Sequence, residues 1–207
     1  MNFRKPIFAA AILLATALTA TATDDAPKTP AKPALEPHPV TRAFYVSGVT
    51  TEEQVKKITE AISKLSSVTA VSEMTPSSGY VRVAFDTHKI ASHLIAQTIT
   101  DQGPYTVTIK FQVPEYKDNA EKLDALFAKV SQQRHVKIEP TDKEKGDFTL
   151  TYLPIRPDPN DPRKVGFNYG HLGHPIHDPP PKGLGLTYKQ IEPPGGAAGK
   201  KGKGKKS

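Results

Sequence analysis

Hydrophobic and polar positions alternate strictly in several short blocks of the chain. In the clearest block, residues 106–113, Val107, Ile109, Phe111 and Val113 alternate with polar residues. A two-residue period predicts strands with one buried face, because successive side chains of a strand point to opposite sides of the sheet. Blocks of this kind predict four strands, at residues 44–46, 68–74, 81–85 and 106–113.

Two segments between these strands have apolar residues three and four positions apart, which is the period of an amphipathic helix. Thr50, followed three residues later by Glu53, predicts a capping box at the start of the first helix, and Asp86 is the predicted N-cap of the second. The core-facing positions are Val55, Ile58, Ile62 and Leu65 in the first helix, and Ile90, Leu94, Ile95 and Thr98 in the second.

The predicted order over residues 41–113 is strand, helix, strand, strand, helix, strand. This order is that of the ferredoxin-like, or split βαβ, arrangement. The sequence therefore predicts an α+β fold in which two helices cover one face of an antiparallel sheet.

Residues 114–191 restart the same pattern. A third helix is predicted around Leu123 and Phe127, and strands are predicted from Val136, over 148–152 and over 184–188. In the place of the fourth helix the chain is rich in proline, which predicts a loop there. We interpret this region as a second, degenerate ferredoxin-like unit, with 106–113 serving both units; an unrelated extension packed on the first unit is the alternative.

The two ends of the chain have compositions that do not predict a packed fold. Residues 1–22 have basic Arg4 and Lys5, an apolar run too short to span a membrane, and small residues before position 23, as in a cleaved signal peptide. We therefore expect a periplasmic or secreted protein without a transmembrane segment in its mature form. The Pro/Ala-rich residues 23–40 and the Gly/Lys-rich residues 192–207 are predicted to be disordered.

The formal net charge of +7 comes from these ends. Two positive charges lie in the predicted signal peptide and five in the last eight residues, so residues 23–199 are balanced. We therefore expect no specific nucleic-acid binding. The lysine-rich tail is either a contact for an envelope protein or an anionic envelope polymer, or a solubilising end.

The chain contains no cysteine. Disulfides and thiolate chemistry are therefore excluded. The sequence also has no nucleophile elbow, no His-Glu-x-x-His motif and no P-loop. We expect a protein that is not an enzyme.

Residues 43–109 resemble the heavy-metal-associated (HMA) domains of copper chaperones and metal-transporting ATPases. The likeness lies in residues 46–50 before the first helix, in Val68, Val71, Val81, Val83 and Phe85 of the middle strands, and in residues 99–105. The family holds Cu(I) with a Met-Thr-Cys-x-x-Cys loop. Here Val49 stands at the methionine position, and Thr51 and Gln54 stand at the two cysteine positions. The resemblance thus implies the HMA scaffold without its Cu(I) site.

A second set of candidate ligands lies in the Pro-rich region: His171, His174, His177 and Asp178. Imidazole and carboxylate groups suit Zn(II), Cu(II) or Ni(II). The alternative is that this segment packs as a loop over the second unit. Two further histidines, His88 and His93, are five positions apart on the second helix and are predicted to lie on the surface.

Two hypotheses about function follow. The first is an exported, non-catalytic binding module of HMA type, which takes a borderline metal ion through the histidine cluster or binds a partner protein. The second is a structural or interaction protein of the cell envelope that binds no metal.

Overall fold

The computed structural model of the protein describes residues 39–72, 74–155 and 166–193. The predicted signal peptide, the linker up to residue 38 and the tail from residue 194 lie outside these residues. The first strand begins at Pro39, so residues 39 and 40, the last two of the predicted linker, lie in this strand. None of the helices in the described part of the chain combines the length and the apolar composition that a membrane span requires.

Seven strands and four helices make up the described part of the chain. The strands are β1 (Pro39–Ser47), β2 (Val68–Val71), β3 (Tyr80–Asp86), β4 (Thr106–Gln112), β5 (Val136–Asp142), β6 (Asp147–Tyr152) and β7 (Lys189–Gln190). The helices are α1 (Glu52–Ser63), α2 (Ser92–Thr100), α3 (Tyr116–Arg134) and α4 (Gly170–His177).

All seven strands form one antiparallel sheet in the order β2-β3-β1-β4-β6-β5, with β7 also paired to β4. The first half therefore has the order β4-β1-β3-β2, and the second half has the equivalent order β7-β4-β6-β5. This is the ferredoxin-like order in both halves. The predicted fold class is confirmed, including the second copy of the unit.

Strand β4 belongs to both halves of the sheet. One of its edges pairs with β6 from Thr108 to Gln112. The other edge is divided, since its first residues pair with β1 and its last two pair with β7. The Gln190 side chain links β7 to β1, because it donates a hydrogen bond to the Ala43 carbonyl at 3.1 Å.

The alternating apolar residues of the strands lie in one continuous core under the helices. In β4, Val107, Ile109 and Phe111 are fully buried. The Phe111 ring stacks on Phe148 of β6, with centroids 5.4 Å apart. Burial of each such side chain contributes about 1.5–3 kcal/mol, so this shared strand is a main source of stability for both halves.

Both predicted helix starts differ from the observed ones. The capping box of α1 is formed by Thr51 and Gln54, one residue after the predicted pair. Helix α2 has Ala91 as its N-cap, without a side-chain hydrogen bond. Asp86 instead accepts a hydrogen bond from the His88 backbone at 2.9 Å, because a turn separates β3 from α2.

The Pro-rich region contains a helix where a loop was predicted. Helix α4 includes Pro175, which removes one backbone hydrogen bond and costs about 3 kcal/mol or more in a helix interior. Leu172 and Ile176, four residues apart, are fully buried in the core. Their burial contributes about 1.5–3 kcal/mol each, which offsets the cost of a proline in so short a helix.

The prediction of a last strand over 184–188 is also wrong, since β7 comprises only the two residues that follow, Lys189 and Gln190. The backbone N–H groups of Leu184 and Leu186 donate to the carbonyls of Pro175 and Ile176 in α4, at 2.9 and 2.8 Å. These groups therefore complete the C-terminal end of α4 and are not available for a sheet ladder.

Candidate functional site

His93 lies in the core, contrary to the prediction of a surface position. Its side chain is fully buried, and its Nδ1 accepts a hydrogen bond from the Phe167 backbone N–H at 3.0 Å. Because Nδ1 accepts, Nε2 carries the proton and donates to the Leu153 carbonyl, at 2.8 Å. The ring thus joins the end of β6 to the chain that leads into α4.

Burial lowers the pKa of His93 below its ordinary value of 6.5, and the neighbouring His135 lowers it further. Protonation would place a hydrogen on Nδ1 and break the bond from Phe167. A group with a depressed folded-state pKa contributes stability that is complete above the unfolded value and is lost as the pH falls.

We therefore expect the free energy of unfolding to decrease as the pH falls below 6.5. Urea unfolding at a series of pH values from 7.5 to about 5 measures this. In the His93→Gln variant the decrease should be smaller but not absent, because burial and Arg134 also lower the pKa of His171, to about 4. An unchanged pH dependence in His93→Gln would contradict the role given to His93.

The positions that the HMA resemblance assigns to cysteines have a structural role in this chain. The Thr51 hydroxyl accepts a hydrogen bond from the Gln54 backbone N–H at 3.3 Å. The Gln54 side-chain oxygen accepts from the backbone N–H groups of Thr50 and Thr51, at 2.8 and 3.1 Å. Neither residue offers the thiolate that Cu(I) prefers, so these residues do not fit the family's metal.

Among the four predicted metal ligands, His171 does not line the pocket that the other three share, but it borders a second cleft together with His174. It is half-buried in the first turn of α4, facing a cleft lined by residues of α3. Its Nδ1 accepts a hydrogen bond from the Asn168 backbone N–H at 2.9 Å. In this position His171 caps the turn that leads into α4.

His174, His177 and Asp178 line one pocket at the C-terminal half of α4. The Nδ1 atom of His174 lies 3.5 Å from a carboxylate oxygen of Asp178. Both histidines are exposed. Across residues 39–72, 74–155 and 166–193, no three His, Asp or Glu side chains are already grouped closely enough to hold a metal ion.

The same pocket has a floor that the sequence analysis did not identify. It is formed by Arg42 of β1, by Tyr169 just before α4 and by Tyr188 just before β7. We call this cavity of about 350 Å³ the α4 pocket. The Arg42 guanidinium lies over the Tyr169 ring, 4.8 Å from its centroid, in cation–π geometry.

Two polar atoms beside this pocket, Arg42 Nε and the Tyr188 hydroxyl, are buried and have no hydrogen-bond partner among the described residues. The buried hydroxyl groups of Tyr152 and Tyr169 interact with each other, and Ser92 is a further hydrogen-bonding neighbour of Tyr152. Burial raises the pKa of all three tyrosines far above the usual range, and the charge of Arg42 partly opposes this effect. The phenols are therefore neutral and can act as hydrogen-bond donors.

Nothing in the local sequence marks these floor residues. Arg42 and Tyr188 are far apart in the chain, and each lies in an alternating block where it resembles an ordinary strand residue. Only the pairing of β7 with β4 beside β1 brings them together.

The chain has no match among protein-family models, and none among curated proteins. Solved structures similar to it include a protein from Bacillus anthracis strain Ames named for copper-ion binding, with 26% identity, a TM-score of 0.32, and coverage of 34% of this chain and 96% of that one. The water-soluble region of the P-type ATPase CopA from Bacillus subtilis is 17% identical, with a TM-score of 0.36, and the match covers 74% of this chain and 92% of that one. The N-terminal soluble domains of the same ATPase are 16% identical, with a TM-score of 0.34, and the match covers 75% of this chain and 95% of that one. The fold class rests on the strand order described above.

Proposed function

We propose that this chain is an exported, non-catalytic binding module on an HMA-like scaffold, and that the rim of the α4 pocket binds a borderline divalent ion. The ligands are His174, His177 and Asp178. The observation that supports this function is that three of the four side chains proposed from the sequence line one pocket. Export is supported by the three-part pattern of residues 1–22.

The helix brings these groups to the same side. Residues three and four apart on a helix are neighbours, with Cβ atoms about 5–6 Å apart. His177 and Asp178 therefore both lie near His174, and we propose that rotation of the side chains, chiefly of the two exposed histidines, brings them around one ion. Two imidazoles and one carboxylate suit Zn(II), Cu(II) or Ni(II).

The test is the thermal stability of tag-free protein with and without Zn(II), Cu(II) or Ni(II) at pH 7.5. An ion at a hundredfold its dissociation constant adds about 2.7 kcal/mol to stability, which corresponds to roughly 5–10 °C in Tm for a domain of this size. We expect His174→Ala and His177→Ala to abolish this shift while the metal-free Tm stays close to that of the wild type, because both residues are exposed.

A matched control is His135→Asn. His135 is also exposed, and it ends α3 in the left-handed conformation with φ of 52°, which asparagine tolerates. This variant should keep the full metal shift. If metals change nothing in the wild type, or if His135→Asn abolishes the shift as fully as His174→Ala, the metal site is wrong. The absence of any metal effect would favour a structural or interaction protein of the envelope.

A further inference from the structure

The cleft between α3 and α4 has a lining in which every charged side chain is basic. Lys129 and Arg134 come from α3, and Lys182 comes from the turn that follows α4. We call this cavity of about 460 Å³ the α3–α4 cleft. His171 and His174 also border it, whereas none of the described residues that line it is an aspartate or a glutamate. The potential in such a cavity favours an anion.

The three cations of the cleft have no counter-ion within the described part of the chain. No carboxylate there forms an ion pair with Lys129, Arg134 or Lys182. By contrast, Lys117 in the first turn of α3 is paired with Glu144, at 2.7 Å. Positive charges around one cavity repel one another, so an anion bound between them would stabilise the fold.

The carboxylates of the neighbouring elements lie outside the cleft. The acidic residues of α3 all precede position 126, where the lining of the cleft begins; they are Asp118, Glu121 and Asp124. Asp178, which directly follows α4, lines the α4 pocket and contacts His174 at 3.5 Å. The positive charge of the cleft is therefore not neutralised by its own walls.

The donors of the cleft are accessible to a ligand. Lys129 and Lys182 are exposed, and Arg134 is half-buried. The half-buried His171 adds a donor of fixed tautomer, because its Nδ1 accepts from the Asn168 N–H and its Nε2 therefore carries the proton. Together these groups present several N–H donors to one cavity.

The number of charges and the lining of the cleft select the class of anion. Three cations, one of them a guanidinium with a planar fork of donors, match a dianionic phosphate group. Leu126, Val130 and Pro175 add apolar surface. A volume of about 460 Å³ leaves room for an organic group beside the phosphate.

We infer that the α3–α4 cleft binds the phosphate monoester group of a small organic molecule, with Lys129, Arg134 and Lys182 as its cations and His171 as a further donor. The inference goes beyond the proposed metal site, whose ligands line the α4 pocket. His174 borders both cavities, but phosphate binding requires neither this residue nor a metal ion.

The experiment is calorimetric titration of the full mature chain with phenyl phosphate at pH 7.5, in EDTA and at constant ionic strength. Phenyl phosphate is mainly a dianion at this pH, because the second pKa of a phosphate ester is about 6. The comparison ligands are benzenesulfonate, which has the same ring and one charge, and inorganic phosphate, which has no organic group. We expect saturable binding of phenyl phosphate and several-fold weaker binding of both comparison ligands.

Variants of the cations test the position of the site. Arg134→Gln should lower the affinity for phenyl phosphate about tenfold, since a hydrogen bond between charged groups is lost. Lys129→Gln and Lys182→Gln should each lower it several-fold. The matched control Lys143→Gln removes the same charge from the exposed turn between β5 and β6 and should leave the affinity unchanged. Because none of these side chains has an ion-pair partner among the described residues, each ligand-free Tm should stay close to that of the wild type.

A lipid headgroup is a second source of the same phosphate group, so vesicles that contain phosphatidic acid form a separate arm. Wild-type protein and Arg134→Gln should sediment equally with these vesicles, because the lysine-rich tail attracts both. Sedimentation that Arg134→Gln abolishes, without binding of phenyl phosphate, would assign the cleft to a lipid surface and overturn the inference.

The titration itself has four outcomes that contradict the inference. They are no saturable binding of phenyl phosphate to folded wild-type protein, equal affinity for benzenesulfonate, equal affinity for inorganic phosphate, and an equal loss of affinity in Arg134→Gln and Lys143→Gln. Failure of the proposed metal site would leave this titration unchanged, because EDTA removes divalent ions from it.

Discussion

Replacing His93 with alanine is expected to lower the free energy of unfolding by about 3–5 kcal/mol. The imidazole is fully buried and in edge contact with the Tyr152 ring, at a centroid distance of 5.1 Å. Its removal leaves a cavity, and it also leaves the Phe167 N–H and the Leu153 carbonyl without their partner. These two effects add, because the backbone groups remain buried.

Chemical denaturation at pH 7.5 measures this loss directly. The matched control is His177→Ala at the exposed end of α4, which should change stability by less than about 0.5 kcal/mol. A loss below about 1 kcal/mol in His93→Ala would show that the two hydrogen bonds of the ring contribute little.

Replacing Gly146 with alanine is the second substitution with a large expected effect, also about 3–5 kcal/mol. Gly146 has φ of 71° in the turn between β5 and β6, where an alanine is strained. A Cβ there would overlap the carbonyl oxygen of Val113 at the end of β4. The backbone would have to move, and the hydrogen bond from the Val113 N–H to the Gly146 carbonyl, 2.8 Å long, would be lost.

Gly79→Ala is the matched control for this prediction. Gly79 also has a positive φ, 62°, but a Cβ there would meet only the Val46 carbonyl, at 3.9 Å. The cost should be that of the conformation alone, about 1–2 kcal/mol. The same denaturation measurement on both variants isolates the steric overlap. Equal losses of stability in the two variants would show that the backbone relieves the overlap at Gly146 without a further cost in free energy.

The ferredoxin-like order of the first half could be predicted from the sequence because it depends on periods that are local. Val81, Val83 and Phe85 alternate, and Val55, Ile58 and Ile62 recur at helical spacing; all six are buried as expected. The shared role of β4 could be predicted from the length of its alternating block. The N-cap of α1 could not be assigned to one residue from the sequence, since Thr50 and Thr51 are adjacent and each has an acidic or amide residue three positions later.

The candidate site was only half predictable. The sequence identified His174, His177 and Asp178, because histidines close together in a chain stay close in any local conformation. It did not identify Arg42, Tyr169 and Tyr188, which come from three separate elements. It also placed His93 on the surface, because a five-residue spacing from His88 does not reveal which other element covers a helix face.

By itself, then, the sequence determined the strands and helices of the first half, strands β5 and β6 of the second, the absence of thiolate chemistry and the pattern of an exported chain. Tertiary structure alone decided that a proline-containing segment is the helix α4, that His93 is a buried link, and that Arg42, Tyr169 and Tyr188 line one pocket with the end of α4. The physical reason is that periodicity records which side of an element is apolar. Whether a polar group is buried, satisfied or left with an unused donor depends on neighbours that are remote in the chain.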